Sequence, residues 1–188
     1  MMGADERYII ALWIGLAAYW VFMAVGAKRS VPAPGRVGIR LARVIGVVLL
    51  LLLLVDRHGV WAFETAAGSH SELGGLGVVI CALGVAVAVW ARIALGRNWG
   101  TPMSRRVDPD LVTSGPYRFV RHPIYSGILL AMLGSALAVS LLWIVALALC
   151  GGYFLFSALR EEVFMTERFP DQYPAYRRRT KVLIPFVL

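Results

Sequence analysis

Cysteine and acidic side chains are scarce in this chain, and long polar stretches are scarcer still. Only two of 188 residues are cysteine. Cys81 and Cys150 both sit inside apolar runs, where a thiol behaves as a small hydrophobe, so neither a disulfide framework nor a metal site is indicated. Three histidines are present; His58 and His70 lie in the loop from Asp56 to Glu72 without the repeat that a closed ligand set needs. There is no low-complexity linker, no internal repeat of useful strength and no glycine-rich dinucleotide turn. The deficit that decides most is of charge: 16% of residues are charged against 59% hydrophobic, with a mean hydropathy of +0.71. That is far more apolar than a soluble domain of this size, and it makes the chain an integral membrane protein.

Four apolar blocks run from Tyr8 to Val25, Ile39 to Val55, Leu73 to Leu95 and Ile124 to Leu159. A spanning helix takes about 20 apolar residues, so the first three blocks supply one span each and the fourth supplies two, with a break near Ser140. The expected fold is an all-α membrane protein of five transmembrane helices, the last two forming a helical hairpin. Residues 1–188 form a single integral membrane domain: three spans over 1–95, then a loop, the hairpin and a tail over 96–188. Lys28, Arg29, Arg36 and Arg40 follow the first block, Arg97, Arg105, Arg106, Arg118 and Arg121 follow the third, and Arg168, Arg177, Arg178, Arg179 and Lys181 follow the last. By the positive-inside rule these segments are cytoplasmic, which places the N-terminus outside and the C-terminus inside. The N-terminal run is not a secretory signal, because Asp5 and Glu6 precede it and the basic cluster follows it. The net charge of +8 is carried at membrane ends, where anionic lipid accounts for it and nucleic acid is not required. Gly74, Gly77 and Gly84 form a small-residue face on the third span, suited to close helix packing within or between chains; the oligomeric state stays open.

Chemistry-bearing residues collect near that basic face. The stretch Gly115-Pro-Tyr-Arg-Phe-Val-Arg-His-Pro-Ile-Tyr-Ser-Gly127 precedes an apolar hairpin, and Pro116 and Pro123 bias the backbone before them away from helix. Adjacent carboxylates Glu161 and Glu162 lie at the end of a spanning helix, where they need pairing, water or a function. Neighbours on a helix point about 100° apart, so one can face the bundle while the other faces water; which does so is open. Tyr117, Tyr125, Tyr173 and Tyr176 form an aromatic belt or, with His122 and Glu161, line a cavity for a ligand with a ring, hydroxyls and mixed charge.

The pattern Leu111-Val-Thr-Ser-Gly-Pro-Tyr-Arg-Phe-Val-Arg-His-Pro-Ile-Tyr-Ser-Gly127, then Arg160-Glu-Glu162 and Phe169-x3-Tyr173-x2-Tyr176, resembles the isoprenylcysteine carboxyl methyltransferase family, to which the phospholipid methyltransferases are related. The resemblance covers Gly96 to Leu188. It implies a multi-pass enzyme of the cell membrane, with a cytoplasm-facing pocket for S-adenosyl-L-methionine and a lipophilic small-molecule or lipid acceptor such as an isoprenylcysteine carboxylate or a thiol. It further implies that Leu111, Val112, Tyr117, His122, Pro123, Tyr125 and Glu161 bind that cofactor, with Ser104 as a possible addition, and that Arg121 or Arg160 orients an anionic acceptor. The chain departs from the prenylcysteine pattern at Ser157, where those enzymes carry a basic residue one turn before the paired glutamates; the departure bears on the acceptor rather than on the cofactor. An NADPH-dependent membrane reductase of sterol-reductase-like topology, a phospholipid N-methyltransferase and a non-enzymatic membrane subunit remain as alternatives.

Overall fold

Lipid tails are as apolar as leucine, so helices in a membrane associate by how closely their backbones approach rather than by escaping water. The third apolar block exploits this. In the computed structural model, which describes residues 3–24, 30–31, 46, 71–99, 105–106, 110–140 and 142–185, the helices are α1 (Ala4–Ala24), α2 (Ser71–Leu95), α3 (Pro123–Ala138), α4 (Leu142–Arg168) and the short α5 (Tyr173–Arg179). Helices α2 and α3 cross antiparallel with glycine facing backbone. A Cβ added to Gly77 would stand 2.6 Å from the Gly134 carbonyl oxygen, and one added to Gly84 would stand 2.6 Å from that of Gly127. The small-residue face therefore serves packing inside the chain.

Helix α1 packs on this pair through Trp13, whose indole N–H donates to Ser135 Oγ at 3.0 Å and whose ring stacks on Trp143 at 5.6 Å. At the other end of α1, the buried Arg92 guanidinium donates to the carbonyls of Met23 and Gly96, each at 2.7 Å. Gly96 adopts φ +54°, the left-handed geometry that stops a helix with little strain only at glycine. Since Asp5 meets Gly74 at one end and Met23 meets Arg92 at the other, α1 and α2 run parallel.

Among the described residues, three helices, Ala4–Met23, Leu73–Asn98 and Trp143–Arg168, are long and apolar enough to cross a membrane. The protein is thus a multi-pass membrane protein. The expected second span, Ile39 to Val55, lies outside the described residues. The hairpin turns at Val139 and Ser140, as expected, but its arms are unequal. Helix α3 has 16 residues, short of the roughly 20 that a straight span requires. Helix α4 runs nine residues beyond Leu159, to Arg168, because its polar last turns are paired and only Pro170 disfavours helix at the residue before it. The all-α expectation needs one small amendment, a two-residue antiparallel pairing of Ser30–Val31 (β1) with Arg105–Arg106 (β2).

Gly84→Ala is expected to destabilise the detergent-solubilised protein by about 1–3 kcal/mol, the range for forcing added atoms into a packed contact. Gly75→Ala, whose Cβ meets nothing within 4 Å, should leave the unfolding temperature unchanged or raise it. Equal thermal unfolding of the two variants would contradict the close crossing.

Candidate active site

The site is assembled where the ends of α2 and α4, the start of α3 and the tail come together. Gly115 takes φ +60° against Ala94 and Trp90 of α2, which starts a short 3-10 turn over Gly115–Arg118 with Pro116 in its first turn. Pro123 then opens α3, a position where its missing N–H costs nothing. Between these two prolines the chain is extended enough to pair with the tail. The Arg121 N–H donates to the Lys181 carbonyl at 2.8 Å, the His122 N–H to that of Val182 at 3.1 Å, and the Ser126 hydroxyl to that of Leu183. From α5, the Tyr176 hydroxyl returns a 2.7 Å bond to the Tyr117 carbonyl. Burial first, then Tyr176 and Glu161, push the Tyr117 phenol well above its ordinary pKa, and burial does the same for Tyr173 and Tyr176. All three phenols are therefore neutral donors at any physiological pH.

The two glutamates divide the labour. Glu162 points inward, its side chain 4% exposed, and accepts from Arg121 Nε at 2.6 Å; Arg177 Nε stands 3.3 Å from its other oxygen. Arg121 is spent on this pair and on the carbonyls of Thr180 and Arg177. Glu161, 28% exposed, accepts from the Tyr125 hydroxyl at 2.7 Å and lies 3.6 Å from His122 Nδ1. The rings of His122, Tyr125 and Phe154 form a nearly parallel ladder, with centroids 5.5 and 4.5 Å apart.

These groups border a cavity of about 360 Å³, within the range of small-molecule sites. Leu111, Val112, Tyr117, Arg121, His122, Tyr125 and Glu161 all line it. Two expected residues do not. Pro123 is fully buried at the start of α3 and shapes the backbone rather than the wall. Arg160 is exposed on another face of α4, with its guanidinium 5.9 Å from the Phe156 ring, as the 100° rotation from Glu161 dictates. Ser104 lies outside the described residues. The cavity also takes in Trp20, Asn98, Trp99, Asp110, Phe154, Phe164 and Met165, none of which was singled out from the sequence. Phe154 and Met165 were within reach of it, since they fall seven residues before and four after Glu161 on one helix face. Trp20 carried no such signal; it arrives from α1, edge-on to Trp99 at 6.3 Å.

The donor set suits a nucleotide of mixed charge. Two carboxylates, Asp110 and Glu161, border the cavity, aromatic faces are available for a base, and His122 Nε2, buried without a direct hydrogen bond among the described residues, stands 3.8 Å from Glu162 Oε1.

The family model for phospholipid methyltransferases matches residues 74–172, which span the glycine crossing, the bend and both glutamates. The cobalt-zinc-cadmium resistance protein CzcN of Cupriavidus metallidurans is 32% identical over 141 residues, 74% of this chain and 60% of that protein. The protein-S-isoprenylcysteine O-methyltransferase of Schizosaccharomyces pombe is 27% identical over 177 residues, 90% of this chain and 68% of that one. The solved structure of a eukaryotic intramembrane Ras methyltransferase, an isoprenylcysteine carboxyl methyltransferase, superposes with a TM-score of 0.56 at 24% identity, covering 78% of this chain and 52% of that one; it establishes likeness of fold. The chain thus spans about three fifths of the length of the first of these relatives.

Glu162→Gln should destabilise the protein by about 3–5 kcal/mol, because it leaves the Arg121 guanidinium buried and unpaired. Glu161→Gln should cost less than about 1 kcal/mol, as its side chain keeps a solvated edge. Chemical unfolding in detergent checks the difference, and equal losses would contradict the assigned roles.

Proposed function

As this chain belongs to the phospholipid methyltransferase family, we propose that it is an integral-membrane methyltransferase that uses S-adenosyl-L-methionine to methylate a lipophilic acceptor. The observation that carries the reading is the convergence of Glu161, His122 and Tyr125 on one cavity beside the apolar hairpin. Glu161 would take the cofactor's amino group or ribose hydroxyls, His122 and nearby backbone N–H groups would take its carboxylate, and Tyr117, Tyr125, Tyr173 and Tyr176 would pack on the base. When bound, the cofactor supplies an activated methyl group on a sulfonium. The chain's own contribution is alignment and exclusion of water. Ile124, Ile128, Phe154, Phe164 and Met165 give the cavity an apolar wall, and the Tyr125 bond fixes the carboxylate that faces it.

The acceptor is argued from cations. Among the described residues lining the cavity, Arg121 is the sole guanidinium or ammonium, and Glu162 with the tail carbonyls occupies it. Ser157, at the position where prenylcysteine enzymes place a basic residue, is neutral and fully buried. This favours an acceptor whose attacking atom needs no fixed counter-cation, a thiol or a lipid amine, over a carboxylate. The five-span arrangement in the cell membrane, with this site toward the cytoplasm, belongs to the same proposal. The parallel course of α1 and α2 supports it, because a parallel pair needs one returning crossing between them and Ile39 to Val55 is an apolar stretch long enough to supply it.

Isothermal titration with S-adenosylhomocysteine is expected to show binding to the purified protein. Glu161→Ala should weaken it at least about tenfold, or roughly 1.4 kcal/mol, while Arg160→Ala should not change it. Absence of binding to the wild type, at ligand concentrations near millimolar, would overturn the cofactor assignment, since that limit corresponds to only about 4 kcal/mol.

A further inference from the structure

The tail is both a wall of the cavity and a basic surface, and nothing in the proposed chemistry uses the second property. Its inner side supplies Tyr173 and Tyr176 to the cavity. On its outer side, Arg178, Arg179 and Lys181 are exposed, as is Arg118 on the neighbouring loop. The two segments are joined edge to edge, since Val120 and Lys181 form a parallel bridge and the Lys181 N–H reaches the Phe119 carbonyl at 3.4 Å. Two apolar side chains stand out from the same patch, Phe119 at 42% and Ile184 at 53% exposure, with the Arg118 guanidinium 4.5 Å from the Phe119 ring. A favourable dipole at the end of α5 accounts for arginines in its last turn, but not for Lys181, Arg118 or the exposed apolar pair. The C-terminal ends of α2 and α4 and the start of α3 all meet on this face, so the patch stands at a membrane surface. Cations interleaved with protruding apolar side chains fit a layer of anionic headgroups over acyl chains.

We propose that this surface docks on anionic lipid headgroups, and that the docking holds the tail closed over the cavity, so that occupancy of the cavity is coupled to the charge of the surrounding membrane. The coupling follows from the architecture. The tail is fastened to the body by backbone pairs, by the Arg121 guanidinium on the Arg177 and Thr180 carbonyls and by the Arg177–Glu162 ion pair; lipid held on its outer side opposes its release, and release removes two tyrosines from the cavity wall. The coupling to a nucleotide rests on the cofactor assignment above, whereas the lipid contact does not.

The test uses the intact protein in nanodiscs of phosphatidylcholine alone or of phosphatidylcholine mixed with phosphatidylglycerol. S-adenosylhomocysteine should bind about fivefold or more tightly in the anionic discs, a modest share of the attraction that several basic residues supply. Arg178→Gln/Arg179→Gln/Lys181→Gln should keep the neutral-disc affinity and lose the gain. Hydrogen exchange of residues 173–183, read without ligand, should slow in anionic discs for the wild type and not for the triple variant. Equal affinity and equal exchange in the two lipids, or a triple variant that retains both responses, would overturn the proposal. If no nucleotide binds in either disc while exchange still responds to lipid charge, the cofactor assignment fails and the lipid contact stands.

Discussion

The contact between the Arg121 guanidinium and the Glu162 carboxylate, 2.6 Å long and nearly withdrawn from solvent, is the constraint on which the site depends. A buried charge without a partner is among the costliest features a fold can carry, so each group obliges the other to stay. Arg121 lies on the bend before α3, Glu162 lies on α4, and the same guanidinium reaches the carbonyls of Arg177 and Thr180 in the tail. One side chain thereby ties three segments that are distant in sequence. The backbone pairing of residues 120–122 with 181 and 182 then aligns the tail, and Tyr176 joins it to Tyr117.

With Glu162 committed to the Arg121 contact, its neighbour is left facing the cavity. The helical rotation between adjacent residues separates the two carboxylates, one to the protein interior and one to the cavity edge, and Tyr125 and His122 hold the second in place. The glycine crossing of α2 and α3 provides the base for this arrangement. It brings the end of α2, with Leu95, Asn98 and Trp99, close to the start of α3, so that the cavity is walled by both. Arg92, outside the lining, supports that wall by holding the end of α1 beside α2 and standing 4.8 Å from the Trp99 ring.

Much of this was legible in the sequence because the membrane simplifies the code. Apolar length located α1, α2 and the hairpin, and Ser140 marked the turn. The bend from Gly115 to Gly127 and the glutamate pair were visible as polar residues in places where lipid disfavours them, and the structure brings them together. What escaped detection depends on directions that only packing sets. Arg160 and Glu161 are adjacent in the chain yet face different surroundings, and the fate of Arg121, a structural tie rather than a free cation, could not be read without its partner. Trp20 entered the cavity by way of a helix that carries no charged residue after Arg7. The unequal hairpin arms were hidden for a related reason, since paired glutamates extend α4 past the point where hydropathy alone would end it.

A double-mutant cycle read through ligand affinity tests the central claim most directly. Titration of S-adenosylhomocysteine into the wild type, Arg121→Gln, Glu162→Gln and the double variant measures whether the two residues act as one unit. The account predicts that either single change weakens binding strongly and that the second adds little, a coupling of at least about 1.4 kcal/mol. Additive losses would contradict it, because the two side chains would then contribute to the cavity independently.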